Sequence, residues 1–169
     1  MPAVEVVRTY LALDDAGQLR PSAFPRGDVR VVRHDPCSIE DYRRLYREVG
    51  ERWHWRDLVA LSDDALRSRL DSPRVSVWEL RVGHESAGYF ELHRHDDGAV
   101  EIAYFGLMPQ FIGRGLGGAL LTRAVTEAWA LGASRVWLHT CTLDSPMALP
   151  NYEARGFRAF KTERYVVEL

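Results

Sequence analysis

Cysteine is nearly missing from this chain: Cys37 and Cys141 are the only two, far apart and outside any metal-type spacing. That excludes a disulfide framework and a cysteine-rich zinc site, and it suits a reducing compartment. Long hydrophobic runs are missing too; none approaches the ~20 residues of a membrane span. The start, Met1-Pro2-Ala3-Val4-Glu5, lacks the basic and apolar regions of a secretory leader, so a cytoplasmic protein is the expectation. Neither sign of charge dominates, with 22 Lys and Arg against 24 Asp and Glu and a formal net charge of −2. Nothing global therefore favours nucleic acid or an anionic membrane as a partner. No internal repeat or low-complexity tract is apparent. The composition that remains is that of an ordinary globular protein, 46% hydrophobic over 169 residues. Such a length suits one domain that buries roughly 70% of its unfolded surface.

Glycine is concentrated rather than scarce. Phe111-Ile112-Gly113-Arg114-Gly115-Leu116-Gly117-Gly118 holds four glycines in six positions, behind a β-like run and ahead of an apolar helical pattern. Without a Cβ the backbone turns tightly and brings its own N–H groups close to a ligand. A helix opening there adds unpaired donors and the positive end of its dipole. Together these make an anion site, most naturally for phosphate. The plainer alternative is a tight strand-to-helix turn with no ligand.

Along the chain, residues 4–13 read as a β-type segment and residues 20–28 as a loop. Residues 29–33 form the next strand. Ser38 then caps a helix whose Ile39, Tyr42, Leu45, Tyr46 and Val49 share one face, with Gly50 as its stop. Residues 51–57 place Trp53 and Trp55 around His54. They read either as the wall of a substrate pocket or as a linker whose tryptophans fill the edge of the core. Ser62 caps a short helix with Ala65, Leu66 and Leu70 inward, ended by Pro73. From there the period becomes two, and strands at 75–82, 87–95 and 100–107 form an antiparallel meander leading into the glycine stretch. Behind it, Leu116, Leu120, Ala124, Ala128 and Leu131 mark an amphipathic helix. A strand at 135–141 should lie parallel to its predecessor, because a helix separates them. Residues 146–155 contain a short helix that Pro150 is expected to kink or restart. The last strand covers 157–167.

Read literally, Gly113-Arg114-Gly115-Leu116-Gly117-Gly118 matches G-x-G-x-x-G. A dinucleotide fold would carry an acidic residue at the end of its second strand to hold ribose, where this chain has His139-Thr140-Cys141. No Gly-Lys-Ser/Thr follows, so a P-loop fails as well. The pattern instead resembles the GNAT N-acetyltransferase superfamily. Its acetyl-CoA signature, Gln/Arg-x-x-Gly-x-Gly/Ala, is occupied by Ile112 to Gly117, with Ile112 where the family usually has Gln or Arg. A second signature, Ala-x-x-x-Tyr-x-x-x-Gly-Phe, appears as Ala148, Tyr152, Gly156 and Phe157, with Ser145 where an Asn is common. The resemblance covers residues 29–169 of a single domain, to which residues 1–28 are an N-terminal strand-and-loop addition. It implies an α/β (α+β) fold: a mixed, mostly antiparallel central sheet with flanking helices and a parallel strand pair around the acetyl-CoA site.

The resemblance also implies roles. Acetyl-CoA is the donor, without a metal, and its pyrophosphate sits on the loop formed by Ile112, Gly113, Arg114, Gly115, Leu116, Gly117 and Gly118, with Ser145 nearby. The pantetheine arm runs along main-chain groups of Phe105, Gly106 and Leu107. An acceptor amine, mostly protonated at neutral pH, must lose a proton before it attacks. Glu101 matches the family's general base, with Glu91 and His139 in reserve. Tyr152 sits at the general-acid position, where a hydroxyl with a pKa of about 10 can protonate the leaving thiolate. Trp53, His54 and Trp55 are the expected acceptor wall. Cys141 reads as a buried strand thiol, and His93 with His95 as a solvated hairpin rather than a metal pair. The expected activity is acetyl transfer to a primary amine of a small molecule or peptide; a non-catalytic acyl-CoA sensor or scaffold is the alternative. Dimers are common among similar proteins, which leaves a homodimer open.

Overall fold

The computed structural model describes residues 2–169. Its strands are β1 (Ala3–Leu13), β2 (Val29–His34), β3 (Val75–Val82), β4 (Glu85–Arg94), β5 (Val100–Leu107), β6 (Val136–Cys141) and β7 (Arg158–Glu168). The helices are α1 (Ile39–Gly50), α2 (Asp63–Asp71), α3 (Gly117–Ala130) and α4 (Ala148–Ala154). All seven strands join one sheet in the order β2-β3-β4-β5-β6-β1-β7, antiparallel except where β5 meets β6. Mixed α/β architecture, meander and parallel pair are all as expected.

The helices form for local reasons. Ser38 accepts from Asp41 N at 3.0 Å to open α1, and Ser62 accepts from Ala65 N at 3.1 Å to open α2. Helix α1 stops at Gly50, where a Cβ would collide with the Trp55 ring. Pro150 neither kinks nor restarts α4, contrary to expectation. It falls in the first turn, where its missing N–H is one of the donors a helix leaves unused anyway.

Helices α1 and α2 cover one face of β3 to β5, where Tyr42 reaches Glu91. Helix α3 covers the other, where Arg123 lies over the Trp78 ring that stacks on Phe90. The core between sheet and α3 is apolar, with Leu11, Leu92, Leu120, Leu121 and Leu138 among its buried members.

The sequence left the place of the first strand open. In the sheet, β1 lies between β6 and β7. Arg8 to Leu13 pair with Cys141 to Val136, and Ala3 to Ala12 pair with Glu168 to Arg158. Val6, Leu11 and Leu13 are fully buried. The 20–28 loop continues along the far side, with Arg20 N donating to Arg155 O at 2.8 Å and Ser22 N to Thr122 Oγ1 at 2.9 Å.

One ion cluster fastens α1 to the meander. Glu79 is 1% exposed, bonds His34 Nε2 at 2.8 Å, and lies 3.4 Å from guanidinium nitrogens of both Arg44 and Arg81. Burial alone would raise its carboxyl pKa, but hydrogen bonds from His34 and Ser86 and the Arg44 charge hold it at about 2. A depressed folded pKa gives stability that is complete above the ordinary value of about 4.3 and is lost as pH falls toward the folded one. Glu79→Gln should therefore cost about 2 kcal/mol at neutral pH, the partners being partly hydrated. In urea unfolding the difference from wild type should shrink as pH is lowered from 5 to 3.

Candidate functional site

The glycine stretch behaves as a donor cradle. Gly113 and Gly115 take φ of 82° and 78°, a region that side-chain-bearing residues rarely enter. The first α-helical bond of α3 runs from Leu120 N to Leu116 O at 2.9 Å, and no side chain caps the N-terminus. Among the described residues, the N–H groups of 113–119 have no acceptor, so the loop presents unpaired donors beside a helix N-terminus. Arg155, at the end of α4, approaches Gly118 from behind, and its buried Nε has no partner.

A divergence of two strands opens the space in front of this cradle. Strands β5 and β6 pair only through Val100 with Val136 and Glu101 with Trp137. On the β4 side, the register moves from Leu92–Ile102 to Glu91–Tyr104, leaving Ala103 as a bulged extra residue. Beyond it β5 bends away from β6, and a cavity of about 640 Å³ fills the gap. Its loop end is lined by Ile112, Gly113, Gly115, Gly117, Gly118 and Arg155, its middle by Phe105, Gly106, Leu107, Ser145 and Tyr152, and its far end by Trp53, Trp55, Tyr104 and His139.

Most of the expected site residues thus meet in one cavity, and a few do not. Arg114 lies over the Phe111 ring, 4.7 Å from its centroid, and Leu116 is buried in the core; both can contribute only main-chain groups to the cradle. His54 is exposed in a left-handed turn with φ of 61° and is absent from the cavity wall. Glu101 also lies outside the lining, and its carboxylate bonds His95 Nε2 at 2.9 Å. Glu91 is sealed: Arg69 grips it through Nε at 3.1 Å and Nη2 at 2.6 Å, and Tyr42 and His93 hold its remaining positions. His93 and His95 are thereby committed to different carboxylates.

His139 is the titratable base that does line the cavity. Desolvation, then the Arg8 charge, lower its pKa, against the opposing pull of Glu101, Asp144 and Asp57. It is therefore neutral at pH 7. Tyr152 is buried at the mouth of α4; burial and the nearby Asp144 push its pKa up, so its hydroxyl stays protonated. Several lining residues had no readable signal, notably Arg8 on β1 and Tyr165 and Val167 on β7. Their approach depends on long-range strand pairing, which no local pattern announces. Asp57, two residues past Trp55, was legible only as part of a mixed-charge segment.

A model of the acetyltransferase (GNAT) family matches residues 39–157. Uncharacterised N-acetyltransferases of Mycobacterium tuberculosis and Mycobacterium bovis are 35% identical over 78 residues, covering 46% of this chain and 50% of each relative. The chain matches about half the length of those curated relatives. A GCN5-related N-acetyltransferase from Kribbella flavida superposes with a TM-score of 0.66 at 19% identity, over 97% of this chain and 58% of that one. An aminoglycoside acetyltransferase from an uncultured soil metagenomic sample, solved with sisomicin, gives 0.60 at 13% identity over 75% and 86%. These two share the fold.

The cradle depends on backbone conformation, which a small substitution tests. A Cβ on Gly115 meets nothing within 4 Å, so Gly115→Ala disturbs only φ. The strain of about 1–2 kcal/mol should weaken roughly tenfold the binding of an anionic ligand at the cradle, with coenzyme A as the calorimetric probe.

Proposed function

The chain belongs to the GNAT acetyltransferase family, and from that premise we propose that it moves an acetyl group from acetyl-CoA to a primary amine by direct attack. The observation that carries this reading is a single cavity joining the unpaired N–H groups, the strand divergence, Tyr152 and His139. Acetyl-CoA supplies the activated acyl group, whose C–S bond breaks as the amine nitrogen forms the new C–N bond.

The chain's own residues divide the remaining tasks. The N–H groups of 113–119 and the Arg155 cation hold the phosphates at the α3 N-terminus. Main-chain groups of 105–107, released from β6 by the divergence, hold the pantetheine arm. His139, neutral and facing the cavity, takes the ammonium proton directly or through one water. Glu101, the expected base, acts from outside the cavity wall: its negative charge limits the fall of the His139 pKa. Tyr152 gives its hydroxyl proton to the departing thiolate and regains one, through water, from the acylated nitrogen as the amide forms; its raised pKa keeps the donor loaded. Ile112 brings no hydrogen-bonding side chain to the phosphates. That favours, as the second reading, a module that binds acyl-CoA without turning it over.

Thiol release from acetyl-CoA, measured across an amine panel, separates the two. Binding of acetyl-CoA with no amine-dependent release would establish the second reading. Tyr152→Phe is expected to lower turnover about 100-fold, the low end of the usual range for a lost general acid, with coenzyme A affinity nearly unchanged. His139→Gln should lower kcat/KM about 100-fold. In the wild type, kcat/KM should fall on acidification with a midpoint below the ordinary histidine value of about 6.5. An acid limb unaltered in His139→Gln would remove that residue from the mechanism.

A further inference from the structure

The acceptor end of the cavity carries two charges that form no ion pair within 4.0 Å among the described residues, although Glu163 of β7 is the cross-strand neighbour of Arg8. Arg8, from β1, has no carboxylate within 4.0 Å among the described residues. Its Nε is buried without an acceptor, its hydrogen bond from Nη2 to Tyr165 Oη is long at 3.4 Å, and Tyr10 is its other side-chain neighbour. The guanidinium rests over the Tyr165 ring, 4.9 Å from its centroid, so its position is set by packing rather than by an ion pair. Asp57 lines the same end and forms no ion pair either.

We propose that the acceptor is an amino carboxylate, a small molecule bearing an amine and a carboxylate together, with Arg8 holding the carboxylate and Asp57 drawing in the ammonium. This rests on the acetyltransferase reading above. A guanidinium presents a planar fork of donors matched to one carboxylate. A phosphate dianion fits worse, because Asp57, Asp144 and Glu101 surround the same end and would repel the second charge. The aromatic walls of Trp53, Trp55 and Tyr104 suit the ammonium and the carbon skeleton.

The register places the two functions side by side. Arg8 is opposite Cys141, and its neighbour two residues on, Tyr10, is opposite His139. That diagonal separates Arg8 from His139 by about 7–8 Å at the backbone, within reach of a long side chain. A carboxylate on Arg8 would also neutralise a cation that depresses the basicity of His139. Acceptor binding and proton abstraction would then be coupled. The charged groups acting on His139 are Arg8 from β1, Glu101 from β5, Asp144 after β6 and Asp57 after α1. Of these, Arg8 alone opposes its protonation.

The test compares amino acids with their carboxamides as acceptors, by thiol release and by quenching of tryptophan fluorescence in the presence of coenzyme A. The carboxamide has the less basic amine and the larger free-base fraction, so a preference for the acid cannot come from amine chemistry. Wild type should favour the acid at least tenfold in kcat/KM. In Arg8→Gln the ratio should fall to near one, with partial recovery in Arg8→Lys. The acid limb of the carboxamide's pH profile should also move upward in Arg8→Gln. Equal use of acid and carboxamide by wild type, or a preference that survives Arg8→Gln, would overturn the proposal. If no amine releases thiol yet Arg8-dependent quenching by the acid persists, the amino-carboxylate site stands as a binding site while its acceptor role and the transferase reading fall. Transfer without any acid preference does the reverse.

Discussion

The separation of β5 from β6 is the constraint on which the rest of the molecule depends. A sheet keeps its main-chain polar groups paired, and an interruption buried without replacement partners is costly. Here two neighbouring strands are in register for only two residue pairs and then part. The Ala103 bulge turns β5 outward, and the glycine stretch begins a few residues later. The unpaired edge therefore runs directly into the unpaired helix N-terminus, and one continuous line of free backbone donors and acceptors faces the cavity. Such a line is tolerable where water or a ligand reaches it, which is why the cavity and the interruption coincide.

That arrangement explains how the opposite edge of the gap is built. A strand that has lost its neighbour on one side needs support on the other, and β6 obtains it from β1. The β1–β6 pairing runs through Arg8–Cys141, and beyond it Thr142 N donates to Val7 O at 3.1 Å while Val7 N donates to Thr142 Oγ1 at 3.2 Å. Strand β7 then closes β1 on its outer side. The first and last strands of the chain thus form the wall opposite the meander, and what they project into the cavity comes from Arg8, Tyr165 and Val167.

The donor side of the site was legible in the sequence because it is built from neighbours in the chain. Meander, glycine turn, α3 and the Tyr152 helix follow one another, and each is announced by caps, period or glycine spacing. The acceptor side is assembled from residues 8, 53–57, 139 and 165–167, which only tertiary pairing brings together. The strand character of residues 4–13 was readable, whereas its place between β6 and β7 was not, since nothing local distinguishes one antiparallel partner from another. The same limit separates Glu101 from its expected role. Alternation showed that it lies on the strand entering the loop, but not that His95 would hold it outside the cavity. His54 lies apart from the cavity lining for a different reason: it sits in a left-handed turn, while the two flanking tryptophans line the cavity.

Local and long-range parts meet at His139. Its ring lies against Tyr10 of β1, with 5.3 Å between centroids, on a strand whose other neighbour contributes Glu101. One cation from the inserted strand and three carboxylates from elsewhere set its charge state, so the imidazole reports on the whole acceptor end rather than on its own strand. Burial and Arg8 lower the pKa of such a base, and nearby carboxylates raise it. In the proposed reaction, an acceptor carboxylate on Arg8 offsets that cation, which couples acceptor binding to the basicity of His139. The glycine loop has no part in that coupling. In the same reading it holds the donor chiefly through its backbone, which leaves the side chains of β1, β6 and β7 to select the acceptor.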